Sequence, residues 1–203
     1  MSSCMHPITK RLRYKMMNMN NKLFSGKISS INQITEEVFE VKITLQRDLE
    51  FIPGQFIFIL IGKKLGVEKR AFSIMDYEAK ERNLILGIKL NGSFTRELVK
   101  RQIGTDVVVL GPYGQFVARK EEDNKIKSRQ VFVAGGIGLT PIFNILKRDK
   151  IENAHMFMSS KTRNSLPFAD RLESLNAEKH FFFTREGDER INLDVLRREL
   201  KDF

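Results

Sequence analysis

The sequence predicts two successive units, an antiparallel β-barrel over residues 23–118 and a parallel, doubly wound α/β unit over residues 130–203. Three observations carry this reading. Up to about residue 117, short apolar or alternating runs are separated by turn residues, with a single helical stretch. Residues 119–129, Arg-Lys-Glu-Glu-Asp-Asn-Lys-Ile-Lys-Ser-Arg, are charged and nearly free of apolar side chains, as a linker is. Beyond them, short apolar runs alternate with helical ones, the pattern of strands lying parallel with helices between them.

Residues 1–22 have no hydrophobic period and contain Met1, Met5, Met16, Met17 and Met19, so a disordered basic extension is expected there. In Val38–Gln46, Phe39, Val41, Ile43 and Leu45 alternate with Glu40, Lys42, Thr44 and Gln46, which is the period of a half-buried strand. Leu84, Leu86, Ile88 and Leu90 repeat it before the Asn91-Gly92 turn signal. Phe56–Ile61, Ala71–Met75 and Val107–Leu110 are further short strands, and Ser93–Arg101 is the barrel's helix. In the second unit, Val131–Val133, His155–Met158 and His180–Phe183 are expected as strands. Pro141–Lys147, Pro167–Leu175 and Leu193–Leu200 are expected as helices.

Composition narrows the function. The 203 residues are 41% apolar and 30% charged, which suits a globular protein. The longest apolar run, Phe56–Ile61, is too short to cross a bilayer. The one cysteine, Cys4, excludes an internal disulfide and a thiolate-held cluster within these residues. His6, His155 and His180 show no metal-ligand spacing, and no metal is expected. The net charge is +10. Half of the surplus lies in residues 1–22, where Lys10, Arg11, Arg13, Lys15 and Lys22 meet no acidic residue. Such a surface either steers an acidic partner or is simply solvated. No aromatic-interleaved basic stripe points to nucleic acid. One cysteine and no export signal place the chain in the cytoplasm.

The sharpest local motif is Ala134-Gly135-Gly136-Ile137-Gly138-Leu139-Thr140-Pro141, between a predicted strand and a predicted helix. Glycines there admit a pyrophosphate to the backbone, and the helix start supplies N–H donors. Alone, it is equally a tight structural turn. Upstream, in order, stand Pro53-Gly54-Gln55-Phe56, Arg70-Ala71-Phe72-Ser73, Gly92-Ser93-Phe94-Thr95 and Gly111-Pro112-Tyr113-Gly114-Gln115-Phe116.

These five ordered motifs resemble the ferredoxin–NADP⁺ reductase superfamily over roughly residues 23–190. The resemblance implies a flavin-binding barrel followed by a Rossmann-like nucleotide domain, with FAD as cofactor and NADPH as partner nucleotide. It places Arg70 on a flavin phosphate and Phe72 against the isoalloxazine, where the family usually has tyrosine. Ser73 falls at the flavin edge near N5, so Ser73 and Phe72 are the residues expected at the reacting ring. Ile88, Lys89, Gly92, Ser93 and Thr95 complete the flavin set. Gly135, Gly136, Gly138, Thr140, Pro141, Ser159, Thr184 and Arg185 form the nucleotide set. Thr184-Arg185 imitates a Ser-Arg pair that receives a 2′-phosphate in NADP-preferring relatives, while Glu186 and Asp188 leave NADH open. The plainer readings are a solvated arginine at 70, a strand-end serine at 73, a turn and helix cap at Gly92 and Thr95, and a surface arginine at 185.

The family's nucleotide domain continues with a strand ending in Cys-Gly-Pro-Pro, a helix and a last strand, which residues 130–203 do not contain. The resemblance therefore implies a C-terminally truncated domain: a fragment, a chain completed by another, or a degenerate relative. The expected activity is hydride transfer between NAD(P)H and FAD, with single electrons passed to an external acidic carrier such as ferredoxin or flavodoxin. No strong acid or base is needed. The alternatives are an electron-transfer flavin subunit of a larger redox complex, and a non-enzymatic flavin- or nucleotide-binding module.

Overall fold

A computed structural model describes residues 22–63, 66–118, 129–149, 151 and 153–201. The expectations for an extension at 1–22 and a linker at 119–129 lie outside these residues, apart from their last positions.

The first unit is a seven-stranded antiparallel sheet. Its strands are β1 (Leu23–Gln33), β2 (Val38–Leu45), β3 (Phe56–Lys63), β4 (Gly66–Ser73), β5 (Asp76–Glu78), β6 (Asn83–Lys89) and β7 (Asp106–Tyr113), in the order β4-β3-β7-β1-β2-β6-β5. Strands β1, β2, β3, β6 and β7 send alternate residues to one shared core, β5 adds Tyr77, and β4 reaches it only through the half-buried Phe72. Ile28, Ile43, Ile57, Ile59, Leu84, Leu86, Ile88 and Val109 are fully enclosed there. One end is closed by helix α1 (Ser93–Val99), which inserts Phe94 and Leu98.

The second unit is a three-stranded parallel sheet of β8 (Arg129–Gly135), β9 (Asn153–Ser160) and β10 (Glu178–Phe183), in the order β10-β9-β8. A 3₁₀ turn, Gly136–Gly138, leads from β8 into α2 (Leu139–Arg148). Helix α3 (Ala169–Glu173) precedes β10, and α4 (Leu193–Glu199) follows it, capped by Asn192 Oδ1, which accepts from the Asp194 and Val195 amides at 2.9 Å. Against the opposite face from α2, α4 sets Val195 on Phe157 and Phe182. Among the described residues no helix is long and apolar enough to cross a membrane.

Helix α2 joins the units. Its Leu139, Ile142, Phe143, Ile145 and Leu146 share one core with Met156 and Met158 of β9 and with Val38 and Met75 of the barrel. Asn144 Nδ2 donates to the Met75 carbonyl at 3.1 Å, in full burial. Asp76 accepts from Lys147 and, at 3.1 Å, from Arg148. Glu40, only 3% exposed, ion-pairs with Arg171.

This joint explains where the sequence pattern misleads. Alternation assigns Glu40 to solvent, yet β2 buries Val38 and Glu40 as well as the barrel-facing Val41, Ile43 and Leu45. Strand β6 is buried continuously from Leu84 to Ile88 because the second unit covers its outer face. A Cβ on Gly87 would lie 2.6 Å from Thr140 Cγ2, so only glycine admits α2 this closely. Strands β1 and β5 carry too little apolar alternation to be singled out. The predicted second-unit helices and strands are all present, with bounds shifted by one or two residues at most ends.

Candidate functional site: a cleft between the barrel and the parallel sheet

The barrel half of the site is built on β4 and the start of α1. Phe72 is half-buried, and its ring lies 6.1 Å from that of Phe94, tilted by 31°. Arg70, two residues earlier, falls on the same face of the strand. Its guanidinium stands 5.6 Å from the Phe94 ring and ion-pairs with Glu68 at 2.7 Å. Phe94 thus ties Arg70 and Phe72 to the first turn of α1. Gly92 enters that turn at φ 87°, and no atom lies within 4 Å of where its Cβ would be. The first-turn amides have no intrahelical acceptor, and Ser93, the first residue of the helix, is exposed. Thr95 is 7% exposed, and its Oγ1 accepts from the Asn91 amide at 2.8 Å and donates to the Gly92 carbonyl at 3.4 Å. It shapes the turn rather than offering a free hydroxyl. Ser73 ends β4 opposite Phe56, half-buried.

These groups fit a flavin dinucleotide. A guanidinium on β4 and an open glycine turn and hydroxyl at the start of α1 are donors of the kind a diphosphate needs, and the half-exposed Phe72 ring suits a flat heterocycle. The required cation is exposed enough, at 56%, to exchange Glu68 for a phosphate.

The second half lies at the carboxyl ends of β8, β9 and β10, where ligands of parallel α/β sheets bind. A cleft of about 1130 Å³ is bounded there by Gly135 and Gly136, by Ser159, Lys161 and Thr162, by Thr184, Arg185 and Arg190, and across from them by Glu37 and Lys89 of the barrel. Gly136 has φ 49° and open space about its Cβ position. Glu37 is held below the usual carboxylate range, first by its hydrogen bond and ion pair with Lys89 at 3.2 Å, then by the charge of Lys161 and, more weakly, Arg185. A positive field therefore covers the cleft wall. The two carboxylates that follow Arg185 have local partners: Glu186 accepts from the Arg163 amide at 2.8 Å and Asp188 from the Phe183 amide at 2.6 Å.

The structure gathers Lys89, Gly135, Gly136, Ser159, Thr184 and Arg185 around one cleft. Arg70, Phe72, Ser73, Gly92, Ser93 and Thr95 belong to the barrel half just described and do not line it, and Ile88, Gly138, Thr140 and Pro141 stand apart as well. Ile88 is fully buried with its side chain in the barrel core. Thr140 is 4% exposed, with its hydroxyl donating to the Ile137 carbonyl at 3.1 Å and its methyl against Gly87. Pro141 lies inside the first turn of α2 rather than opening it, and Gly138 serves as that helix's N-cap. Gly138, Thr140 and Pro141 position the glycine loop through the backbone and through packing. Glu37, Lys161 and Arg190 are not among the residues expected from sequence; Lys161 follows Ser159-Ser160 at the end of β9, and the other two carry no motif.

Residues 23–140 match the family described as FAD-binding domain. A Pyrococcus furiosus protein named "Probable dihydroorotate dehydrogenase B (NAD(+)), electron transfer subunit" is 32% identical over 178 residues, 86% of this chain and 66% of that relative. The DmpP reductase component of phenol 2-monooxygenase from Pseudomonas is 26% identical over 76% of this chain and 44% of its own length. The chain spans 43–66% of the length of the curated relatives it matches. Among solved structures, a Neisseria gonorrhoeae ferredoxin NADP⁺ reductase with bound FAD and NADP shares the fold at a TM-score of 0.73 and 18% identity, over 88% of this chain and 76% of that one. With the barrel's motifs in order and the glycine loop at the sheet's carboxyl edge, the chain belongs to the FAD-binding domain family of ferredoxin–NADP⁺ reductase-like flavoproteins.

Proposed function

We propose that this chain carries electrons from a reduced nicotinamide nucleotide, preferably NADPH, through FAD to a separate one-electron acceptor. The observation that carries this reading is the cleft itself. Its phosphate-admitting glycine loop and its cationic wall face barrel strand β6, so a nucleotide held there abuts the flavin-bearing unit. Bound FAD accepts a hydride as an electron pair and releases electrons one at a time, which supplies all the redox chemistry.

The chain's own residues bind and orient. Arg70, the Gly92 turn and Ser93 would hold the flavin's diphosphate, and the Phe72 ring would offer its heterocycle an apolar face. Ser73 offers a hydroxyl donor at the reacting edge, while phenylalanine at 72 gives up the hydrogen bond that a tyrosine would add there. Gly135 and Gly136 admit the nicotinamide nucleotide's phosphates. Arg185, Lys161 and Arg190 suit a dianionic 2′-phosphate. Glu186 and Asp188 are held by backbone amides instead of being presented to a ribose, which supports NADPH over NADH.

The net charge of +10 suits an acidic carrier such as ferredoxin or flavodoxin as the acceptor. A second reading, service as an electron-transfer subunit of a larger redox complex, is favoured by the Pyrococcus relative's name. Anaerobic absorbance of the FAD-loaded protein tests the central reading: the flavin bands bleach with NADPH faster than with NADH. Bands that persist with both nucleotides would leave a flavin-binding module without turnover. Copurification with a catalytic subunit, and reduction of that subunit but not of ferredoxin, would select the second reading.

A further inference from the structure

We infer a metal site at the opposite end of the parallel sheet from the cleft, formed by His155, Glu178 and His180, with Glu199 behind it. The sheet's register creates it. Glu178 of β10 lies directly beside His155 of β9, and His180 is the next residue of β10 on that face. His155 Nδ1 and His180 Nε2 face each other at 3.1 Å. Two imidazole nitrogens bound to one tetrahedral zinc, at about 2.0–2.1 Å each, stand about 3.3 Å apart. Glu178 Oε1 is 3.4 Å from His180 Nε2, and its Oε2 is 3.7 Å from His155 Nε2. One ligand atom from each of the three residues falls within 4.8 Å of the others. An ion held between His155 Nδ1 and His180 Nε2 needs the exposed Glu178 side chain to swing toward it from the other nitrogen of His155.

The surroundings are those of a supported ligand set. On its other side, His180 Nδ1 lies 3.4 Å from Glu199 Oε2 of α4, the carboxylate–histidine arrangement that fixes the tautomer and turns Nε2 to a metal. The other oxygen of Glu199 takes Arg198 Nε at 3.0 Å, which holds the carboxylate in place. The His180 ring stacks on the buried Phe157 ring at 4.3 Å and 4°, so its plane is set by packing before any ion arrives. Both imidazole side chains are nearly enclosed, at 12% and 11% exposed, whereas Glu178 is 64% exposed and leaves an entry path and a position for water. Two nitrogens and one carboxylate suit a borderline transition ion such as Zn²⁺ and not Ca²⁺ or Mg²⁺, which take oxygen shells. Between the Glu178–His155 pair and the Phe183–Ser160 pair, the strands run five residues, about 17 Å. The ion therefore lies away from the glycine loop, fastening β10 to β9 and α4.

Zinc titration of the FAD-loaded, chelator-washed full chain in a non-coordinating buffer tests this. The expected result is one zinc per chain with a dissociation constant in the micromolar range or tighter, a rise in melting temperature, and visible d–d bands when Co²⁺ replaces Zn²⁺. Glu178→Gln, at an exposed position, and His180→Gln each weaken binding at least tenfold, and Glu199→Gln weakens it about tenfold, while the apo melting temperature of Glu178→Gln stays unchanged. No zinc uptake by the wild-type chain would overturn the proposal. So would uptake that is the same in Glu178→Gln and in a His155→Gln/His180→Gln variant, since the ion would then sit elsewhere. The Glu178→Gln comparison decides the matter even if the histidine variants do not fold.

Discussion

Gly87 sits where the barrel's outer face meets the first turn of α2, and a single added methyl tests how firmly that contact sets the site. In Gly87→Ala, the new Cβ lies 2.6 Å from Thr140 Cγ2 and 3.0 Å from both Ile137 Cδ1 and Phe168 Cε2. Ile137 can turn its terminal carbon away, but Thr140 is β-branched, buried and bonded through its hydroxyl to the Ile137 carbonyl, so its methyl has little freedom. Overpacking of this kind costs about 1–3 kcal/mol. Replacing glycine in a strand returns about 0.5–1 kcal/mol of backbone entropy. The net expectation is a loss of about 1.5 kcal/mol, which at a urea slope of about 2 kcal/mol per molar lowers the midpoint by about 0.7 M.

Thr140→Ser removes only the opposing methyl and keeps the hydroxyl, at a cost of about 1 kcal/mol. In the double variant the new methyl occupies the vacated space, so the two losses fail to add by about 1 kcal/mol. Urea denaturation of all four proteins at one fixed FAD concentration measures this, since bound flavin shifts the midpoint by mass action. Because the same turn carries Gly136, Gly87→Ala also raises the KM for the nicotinamide nucleotide several-fold. An unchanged midpoint in Gly87→Ala, or additivity within about 0.3 kcal/mol, would refute the claim that this contact positions the loop.

Three further changes probe the two binding surfaces and the joint. Arg70→Gln weakens FAD binding by about ten- to a hundredfold, the worth of a charge-assisted phosphate contact, read by flavin fluorescence during titration; Glu68→Gln, which frees Arg70 from its 2.7 Å ion pair, acts in the opposite direction. Arg185→Ala raises the KM for NADPH about tenfold and leaves that for NADH within about twofold, which steady-state reduction of an artificial acceptor measures. Burial pushes the Asp76 carboxyl up, but hydrogen bonds from Lys147 and the Tyr77 amide and the charges of Lys147 and Arg148 outweigh it, so its pKa lies below the ordinary value. A carboxylate depressed in the folded state stabilises fully above its unfolded value of about 3.9 and loses that contribution as pH falls through the folded value. The stability gap between the wild type and Asp76→Asn is therefore present at neutral pH and closes below about pH 4, as denaturation midpoints across that range show.

The parts legible in sequence share one property: their signal is local. Gly92 and Gly136 announce themselves because their φ angles of 87° and 49° favour glycine, and the barrel strands because a wall with one buried face must alternate. What stayed hidden depends on which surface meets which. Glu40 occupies a solvent-type position in its strand and becomes buried only because Arg171, more than a hundred residues later, supplies the counter-charge. Thr140 and Ile88 stand inside recognisable motifs, yet one side chain faces the joint and the other the barrel core, and a motif names positions without saying where each side chain points. His155 and His180 read as scattered because parallel register, which sets Glu178 beside His155, appears nowhere in the order of residues.

The same distinction assigns different work to the two kinds of residue. Groups exposed at strand ends and turns, such as Arg70, Ser93 and Arg185, can exchange a protein or water partner for a phosphate at small cost, and their loss should change ligand affinity far more than stability. Buried groups at the joint cannot make that exchange. Separating the units would cost Asn144 its buried hydrogen bond to the Met75 carbonyl and Glu40 its Arg171 counter-charge. That penalty resists a hinge between barrel and sheet and holds the glycine loop at a fixed distance from β6. The proposed electron transfer from a nucleotide to a flavin on separate units would require such a fixed distance, which would make the joint part of the functional apparatus although none of its side chains need touch either cofactor.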